Sequence, residues 1–512
     1  MNKKLGMLFA LSAASIVPAA AQDANSLLHA ADKATGASGV NSVVYSGAGT
    51  IRYVGQSYDP NGDWPRAPLT AYTATIDYGS KSGKEQYTVD LSKKDERGGG
   101  LAIPGSTDFV SGNYAWNLNA QGQPNPQPGA AELRAFLINV SPYGFIKAAL
   151  ASGDATLTQR YFNRLDRTVD VIGFTAGKYR VTGEFDKDNL LERIVTWFPN
   201  PVLGDLQVEI RYTDWKDVGN GAKFPYHIHV HQGDHPLNIG GRNAFDLRVT
   251  DVKVNVADTA IAVPDAVRNA PAPQVRVASQ KLADGVWFIG GGSHNSVAVE
   301  FKDFVTVIEG PLDDARSNAV IAETHRLIPN KPIRYLVNTH HHWDHAGGIR
   351  AFVAEGATVI TDDRNRDFYR EIVLAPQPRT LSPDRLSQFP FAPTGPGTLS
   401  LQTFTDRYSI GDGSQTIELY HVDNLNHAND VLVAYLPQSK ILVNADLYSP
   451  PPAGGNLAAV SPNAVALFNN VKRLKLDVAQ HVPIHGNPGP HADFERIVGP
   501  VAARAPRTGD GG

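Results

Sequence analysis

Apolar and polar positions alternate through the first half of the chain, and the pattern changes character after residue 270. Residues 42–54, 71–78, 85–91, 178–185, 193–198 and 206–215 are alternating or rich in β-branched and aromatic types, which predicts strands. Gly- and Pro-rich stretches separate them. Residues 25–33 read as a short helix, and 130–150 as a longer one packed across the sheet. Together these predict an antiparallel sheet or half-barrel over residues 22–270. The Pro- and Ala-rich segment 263–273 marks a linker. Beyond it, short strands are expected at 275–278, 286–289, 296–301 and 304–308. An amphipathic helix follows over Asp314–Leu327, with Ala319, Ile321, Ala322 and Leu327 as apolar positions, then a strand at 333–338. Strands at 416–422, 431–436 and 441–443 and closing helices at 458–474 and 491–503 complete the second half.

The first residues read as an address. Lys3 and Lys4 precede a mostly apolar run over 5–17, and Ala19-x-Ala21 offers a cleavage site before Gln22. This is the form of a secretory signal peptide over residues 1–21, too short to span a membrane. It resembles the leaders of Gram-negative bacteria, so a periplasmic or secreted protein is expected. No later run reaches the ~18 apolar residues that a membrane span needs. The chain has no Cys, which excludes disulfides and thiolate ligands. Removing the leader takes away two lysines and no acid, leaving a weakly acidic chain. That balance gives no support for a nucleic-acid partner. A mature length of roughly 490 residues exceeds one ordinary core. Two domains are therefore expected, 22–270 and 271–512.

The chemistry concentrates between Asn338 and Gly348, where His340, His342, Asp344 and His345 offer four potential metal ligands within six residues. They fall on a loop between a predicted strand and the helix start at 347–353. Imidazole and carboxylate ligands suit zinc. Residues two apart in an extended segment point the same way. His340 and His342 can therefore grip one ion, while Asp344 and His345, past the turn, face a second.

The pattern His340-x-His342-x-Asp344-His345 resembles the signature of the metallo-β-lactamase superfamily, over roughly the C-terminal half. The resemblance implies an αββα sandwich with one or two metals at one edge of its sheets. It also implies further ligands, for which His427, Asp446 and His485 are the candidates. His340, His342 and His427 would hold one zinc, Asp344, His345 and His485 a second, and Asp446 would bridge them. Two zinc ions are expected, with iron or manganese as alternatives. Glu309 stands where the family commonly has Asp, a position that normally shapes the neighbouring loop. The bridge at Asp446 is more similar to glyoxalase II and the lactonases than to β-lactamases proper.

The implied activity is hydrolysis of a small-molecule ester, thioester, lactone or amide, with Asp344 orienting the attacking water. The alternatives are an oxidoreductase resembling the mononuclear-iron sulfur dioxygenases, and a non-catalytic binding protein with a vestigial metal site. Tyr448 is read either as a donor to a substrate carbonyl or as a packed aromatic. The Pro-rich stretch 374–399, with Phe389 and Phe391, is read as a lid, and 450–455 as a pocket wall. His421 and His481 are the nearest rivals for the ligand positions. His227, His229 and His231 share one strand face. They read as a solvent-facing row opposite Tyr226, Ile228 and Val230 rather than as a second metal site, because three in-line residues span too far for one tetrahedral ion.

Overall fold

The computed structural model describes residues 19–95, 97–100, 104–162, 167–233, 242–374, 378–388, 401–452 and 455–504. Most of the stretch read as a leader, residues 1–18, lies outside the described residues, as do Phe389, Phe391 and His235, which follows the histidine row at 227–231. Among the described residues, thirteen strands from Ser42–Arg52 to Arg242–Val254 form one antiparallel sheet. The chain enters at the middle of the sheet and runs out by neighbouring strands to the edge strand Pro124–Pro126. It then crosses to the far edge, Thr156–Phe162, and returns inward. The circuit closes where Ser42–Arg52 pairs with Arg242–Val254. Period-two burial explains the strands: Leu206, Val208, Ile210 and Tyr212 are all buried on one face of Gly204–Asp217.

Three helices, Ala19–Thr35, Ala131–Asn139 and Pro142–Ser152, cover that face with Leu28, Phe136, Phe145 and Ile146. The stretch 130–150 is thus two helices rather than one. Pro142 cannot supply the N–H that a continuous helix needs, and instead opens the second helix.

The C-terminal half has the expected αββα layering. One sheet of seven strands runs from Ala278–Ala283 to Leu401–Phe404, and one of six from Arg407–Gly411 to Gly489–Pro490. Val297, Ile308 and Val337 of the first meet Ile417, Leu419 and Val443 of the second in a shared core. The helices Asp314–Leu327 and Ile349–Glu355 cover the outer face of the first sheet with Val320, Ile321 and Phe352. Pro462–Arg473 and His491–Ala502 cover the other outer face with Leu467, Phe494 and Val498.

Three local expectations shift. The first strand is Ala278–Ala283 rather than 275–278. Asp314–Leu327 buries Ser317, Val320, Ile321 and Thr324 while Ala322 is exposed. Its two buried hydroxyls are satisfied by the carbonyls of Pro311 and Val320. The helix expected from 458 starts at Pro462, capped by Ser461, whose Oγ accepts from the Ala464 N–H at 3.1 Å.

Part of the stretch read as a lid is a strap between the two halves. Arg379 donates to the carbonyls of Pro201 (2.9 Å) and Val202 (2.8 Å), and Val202 is buried in the C-terminal core. Asp384 accepts from Arg350 at 2.5 Å.

One buried histidine outside the loop sets an acid limit on stability. His481 packs on Tyr448 and Phe494, with its Nε2 2.9 Å from His491 Nδ1. Burial, reinforced by His491, lowers its pKa to about 3. Unfolded, an imidazole titrates near ~6.5. Between these values the unfolded chain binds a proton that the folded one does not, so stability falls as pH drops through that window. From pH 7 to 5 urea denaturation should register a loss of about 2 kcal/mol from this group. In His481→Phe the pH slope should flatten by that amount, whatever the variant's own stability.

Candidate metal centre

The strand Ile333–Val337 ends at the sheet edge, and the chain turns through residues 338–342 into the short helix Trp343–Ala346. The turn sits close against its neighbours. A Cβ on Gly347 would stand 2.0 Å from the Leu312 carbonyl oxygen, and one on Gly348 1.8 Å from Ser317 Oγ. No side chain fits at either position.

Onto this turn the fold brings His340, His342, Asp344, His345, His427, Asp446 and His485. His427 Nε2 lies 3.2 Å from His340 Nε2, and His485 Nε2 3.3 Å from His345 Nε2. Asp446 Oδ2 is 2.9 Å from His427, 3.0 Å from His345 and 3.3 Å from His340, while its Oδ1 is 2.7 Å from His485. The donor atoms form two groups: His340, His342, His427 and Asp446, and His294, Asp344, His345 and His485. Asp446 holds a left-handed backbone, φ 60°, a conformation a non-glycine residue keeps only where its surroundings enforce it.

The donor set fits a cation. Two imidazole nitrogens bound tetrahedrally to one zinc at ~2.0–2.1 Å lie about 3.3 Å apart, close to both nitrogen–nitrogen separations here. His342 Nε2 donates to the Ser57 carbonyl at 2.9 Å, and its Nδ1 is buried without a partner. That is a lone pair held toward the centre. The outer nitrogens of three other rings are also held: His340 Nδ1 by Thr339 Oγ1 (3.1 Å), His345 Nδ1 by Glu309 (3.2 Å) and His485 Nδ1 by the Ser293 carbonyl (3.2 Å). Such partners orient each ring and leave Nε2 for a ligand role.

Glu309 does more than shape its loop. It is fully buried and accepts from Asn338 Nδ2 (3.0 Å), Thr339 Oγ1 (2.5 Å) and His345. It therefore orients His345 directly and His340 through Thr339.

Electrostatics divide the site. Burial, aided by His345, lowers the His340 pKa to about 4, and burial with His427 pushes His342 well down. Both offer neutral lone pairs near pH 7. Burial opposes charge on Asp344 and Asp446, but His294 and His345 outweigh it for the first, and His345 and His427 for the second. Both carboxyls sit below their usual range. Burial alone would also lower His345 and His485, yet Asp446 holds a proton on them and raises both. A bound cation competes with that proton, so affinity at the second group rises with pH.

A cleft of about 680 Å³ opens over the centre. Asp344, His427, Asp446 and His485 form its floor, and the N-terminal half supplies Gln56, Lys94 and Gly98 to Gly100. Gln56 Nε2 donates to Asp344 Oδ1 at 2.8 Å. Ser57 Oγ lies 3.1 Å from His341 Nε2, whose Nδ1 meets Asp430 at 2.7 Å.

Sequence reasoning missed His294, Gln56 and Ser57. His294 Nε2 is 3.2 Å from Asp344 Oδ2, yet it stands alone in its stretch with no ligand-like spacing to mark it. The wall expected at 450–455 falls instead to Ser449, Leu457 and Ser461 among the described residues. Tyr448 lines the cleft and also packs against His481 at 5.3 Å and Phe494 at 4.6 Å; its buried hydroxyl has no partner among the described residues and is pushed up to about 12 by burial. His421 pairs with Asp362 at 2.9 Å, outside both groups.

The row on the large sheet is half-buried rather than solvent-facing. His227 lies 3.0 Å from Asp246, and these two with His229 place their donors within 4.8 Å of one another, while His231 turns to Glu209 at 3.5 Å. The carboxylate from the neighbouring strand makes the group compact, which in-line spacing alone does not.

Residues 289–447 match the family model of the metallo-beta-lactamase superfamily. The linear primary-alkylsulfatase of Pseudomonas sp. (strain ATCC 19151) is 27% identical over 220 residues, covering 37% of this chain and 41% of the relative. The match thus spans less than half of that protein. A metallo-beta-lactamase structure from Pontibacter korlensis is 19% identical, covering 45% of this chain and 100% of its own, with a TM-score of 0.34. One from Hirschia baltica is 20% identical, covering 43% and 94%, with a TM-score of 0.32.

Proposed function

We propose, from the match of residues 289–447 to the metallo-beta-lactamase superfamily model, that this chain is an exported two-zinc hydrolase of an ester-type bond. Carboxylic esters, thioesters and lactones are the leading substrates, with amides beside them. The observation that carries this reading is Asp446, whose carboxylate reaches both donor groups: Oδ2 meets His340 and His427 of the first and His345 of the second, and Oδ1 meets His485 of the second. His340, His342 and His427 would hold one ion, Asp344, His345 and His485 the other, and Asp446 both. Zinc there would polarise the scissile group and bring the pKa of water to about 7. Asp344 stays ionised beside His294 and is held at Oδ1 by Gln56. It can orient the attacking water by accepting a hydrogen bond from it. Export rests on the leader-like residues 1–21.

A sulfuric ester is a second reading, favoured by the relative's name and by Lys94. Lys94 lines the cleft and donates to the Asp95 and Gly98 carbonyls at 3.0 Å each. That leaves one of its three ammonium donors for an anionic group.

Metal analysis of the mature protein should find two zinc ions per chain. Turnover of nitrocefin, a lactone, a thioester, p-nitrophenyl acetate and dodecyl sulfate should be lost on dialysis against EDTA and restored by zinc. One iron per chain would replace this reading with the oxidoreductase. A zinc-loaded chain inert toward every substrate would replace it with a binding protein. Gln56→Ala should lower kcat at least about tenfold, the worth of a hydrogen bond to a charged group, with zinc content unchanged. Wild-type kcat in that variant would take the N-terminal half out of the chemistry.

A further inference from the structure

We propose that the N-terminal sheet carries a second ligand site, separate from the metal centre, for a single-chain aliphatic molecule with an uncharged hydroxyl head. A cavity of about 350 Å³ lies between the buried face of the sheet and the helix Ala131–Asn139. That volume falls in the ~300–1,000 Å³ range of small-molecule sites. Ile76, Val110, Ile138, Val208, Ile210 and Ile228 give it apolar walls. Such walls offer water no partners, so an aliphatic chain is the better occupant. Leu137, at 38% exposure, marks the entrance. Among the described residues, the cavity and the cleft over the metal centre share no lining residue.

One end is polar, and its chemistry selects the head group. Tyr45, Tyr72 and Glu85 line this end together, and the three influence one another electrostatically. The two tyrosine hydroxyls can donate and the Glu85 carboxyl can accept, and burial raises that carboxyl above its usual range. Arg134, also in the lining, is engaged: it donates to the Trp116 carbonyl (3.0 Å), the Phe109 carbonyl (3.2 Å) and Asn117 Oδ1 (2.7 Å), with Asp108 at 3.4 Å. Lys84 stands over the Phe109 ring. Lys84 and Arg134 already offset Glu85 and Asp108 at this end, so an ionised head would add an uncompensated charge, whereas a hydroxyl would meet a donor and an acceptor.

The test uses the full chain with N-phenyl-1-naphthylamine as fluorescent probe. Its emission should rise on binding, with or without zinc. 1-Dodecanol should displace it at a concentration at least tenfold below that of dodecanoate. Ala74→Trp and Ile228→Trp, which fill the cavity from two different strands, should each weaken probe binding at least tenfold while leaving circular dichroism and zinc content unchanged. Absence of probe binding to the wild type overturns the proposal. So does binding that survives both fillings, or displacement by dodecanoate as effective as by dodecanol.

Discussion

Asp446→Ala should abolish turnover, lowering kcat/KM by about a thousandfold or more, and should reduce bound zinc from two ions to one or fewer. The carboxylate stands within 3.3 Å of His340, His345, His427 and His485, so no other single side chain touches as much of the centre. Without it, the two donor groups lose the one carboxylate that both share, and two cations would repel each other across the gap. A thousandfold loss corresponds to about 4 kcal/mol of transition-state stabilisation. Asp446→Asn separates shape from charge, since it keeps the volume and should retain no more than one ion. Zinc content by mass spectrometry, read beside turnover, decides the matter. Two ions with more than a tenth of wild-type activity in Asp446→Ala would refute the shared-carboxylate centre.

Glu309→Ala should have the second largest effect, and on two quantities at once. Removing this carboxylate leaves the donors of Asn338, Thr339 and His345 unpaired in a site with no solvent access. An unsatisfied buried polar group costs about 1–3 kcal/mol, so a loss of roughly 3–5 kcal/mol in the metal-free protein is expected once the site relaxes. Zinc affinity should fall about 10–100-fold, the usual consequence of losing a group that orients a ligand. Glu309→Gln should recover part of the stability, because its amide still accepts from two donors, but little of the affinity. Urea titration and competition with a zinc chelator measure the two effects. A variant that binds zinc as the wild type does would show that His340 and His345 orient themselves.

Much of the fold was legible because burial repeats with the backbone's own period. Gly204–Asp217 alternates as a strand should, and Asp314–Leu327 appears with the expected ends. The failures are also physical. Pro142 split a helix that apolar content alone made continuous. Ser317 and Thr324 took buried places that hydrophobicity had assigned to Ala319 and Ala322, because local carbonyls satisfy their hydroxyls. The strap formed by Arg379 and Asp384 resembled a free loop in sequence, since its partners, Pro201, Val202 and Arg350, are distant in the chain.

The sequence by itself determined the two β-rich halves, the helix-and-strand order of the second, and the loop bearing His340, His342, Asp344 and His345. Those features are written within short windows, where spacing and backbone geometry dictate which way side chains point. Only the tertiary structure decided that His294 joins Asp344, that Glu309 holds two ligand rings, and that Gln56 reaches across 288 positions to the same carboxylate. Such meetings depend on how two sheets and a neighbouring half pack together, and no local stretch of chain contains that information.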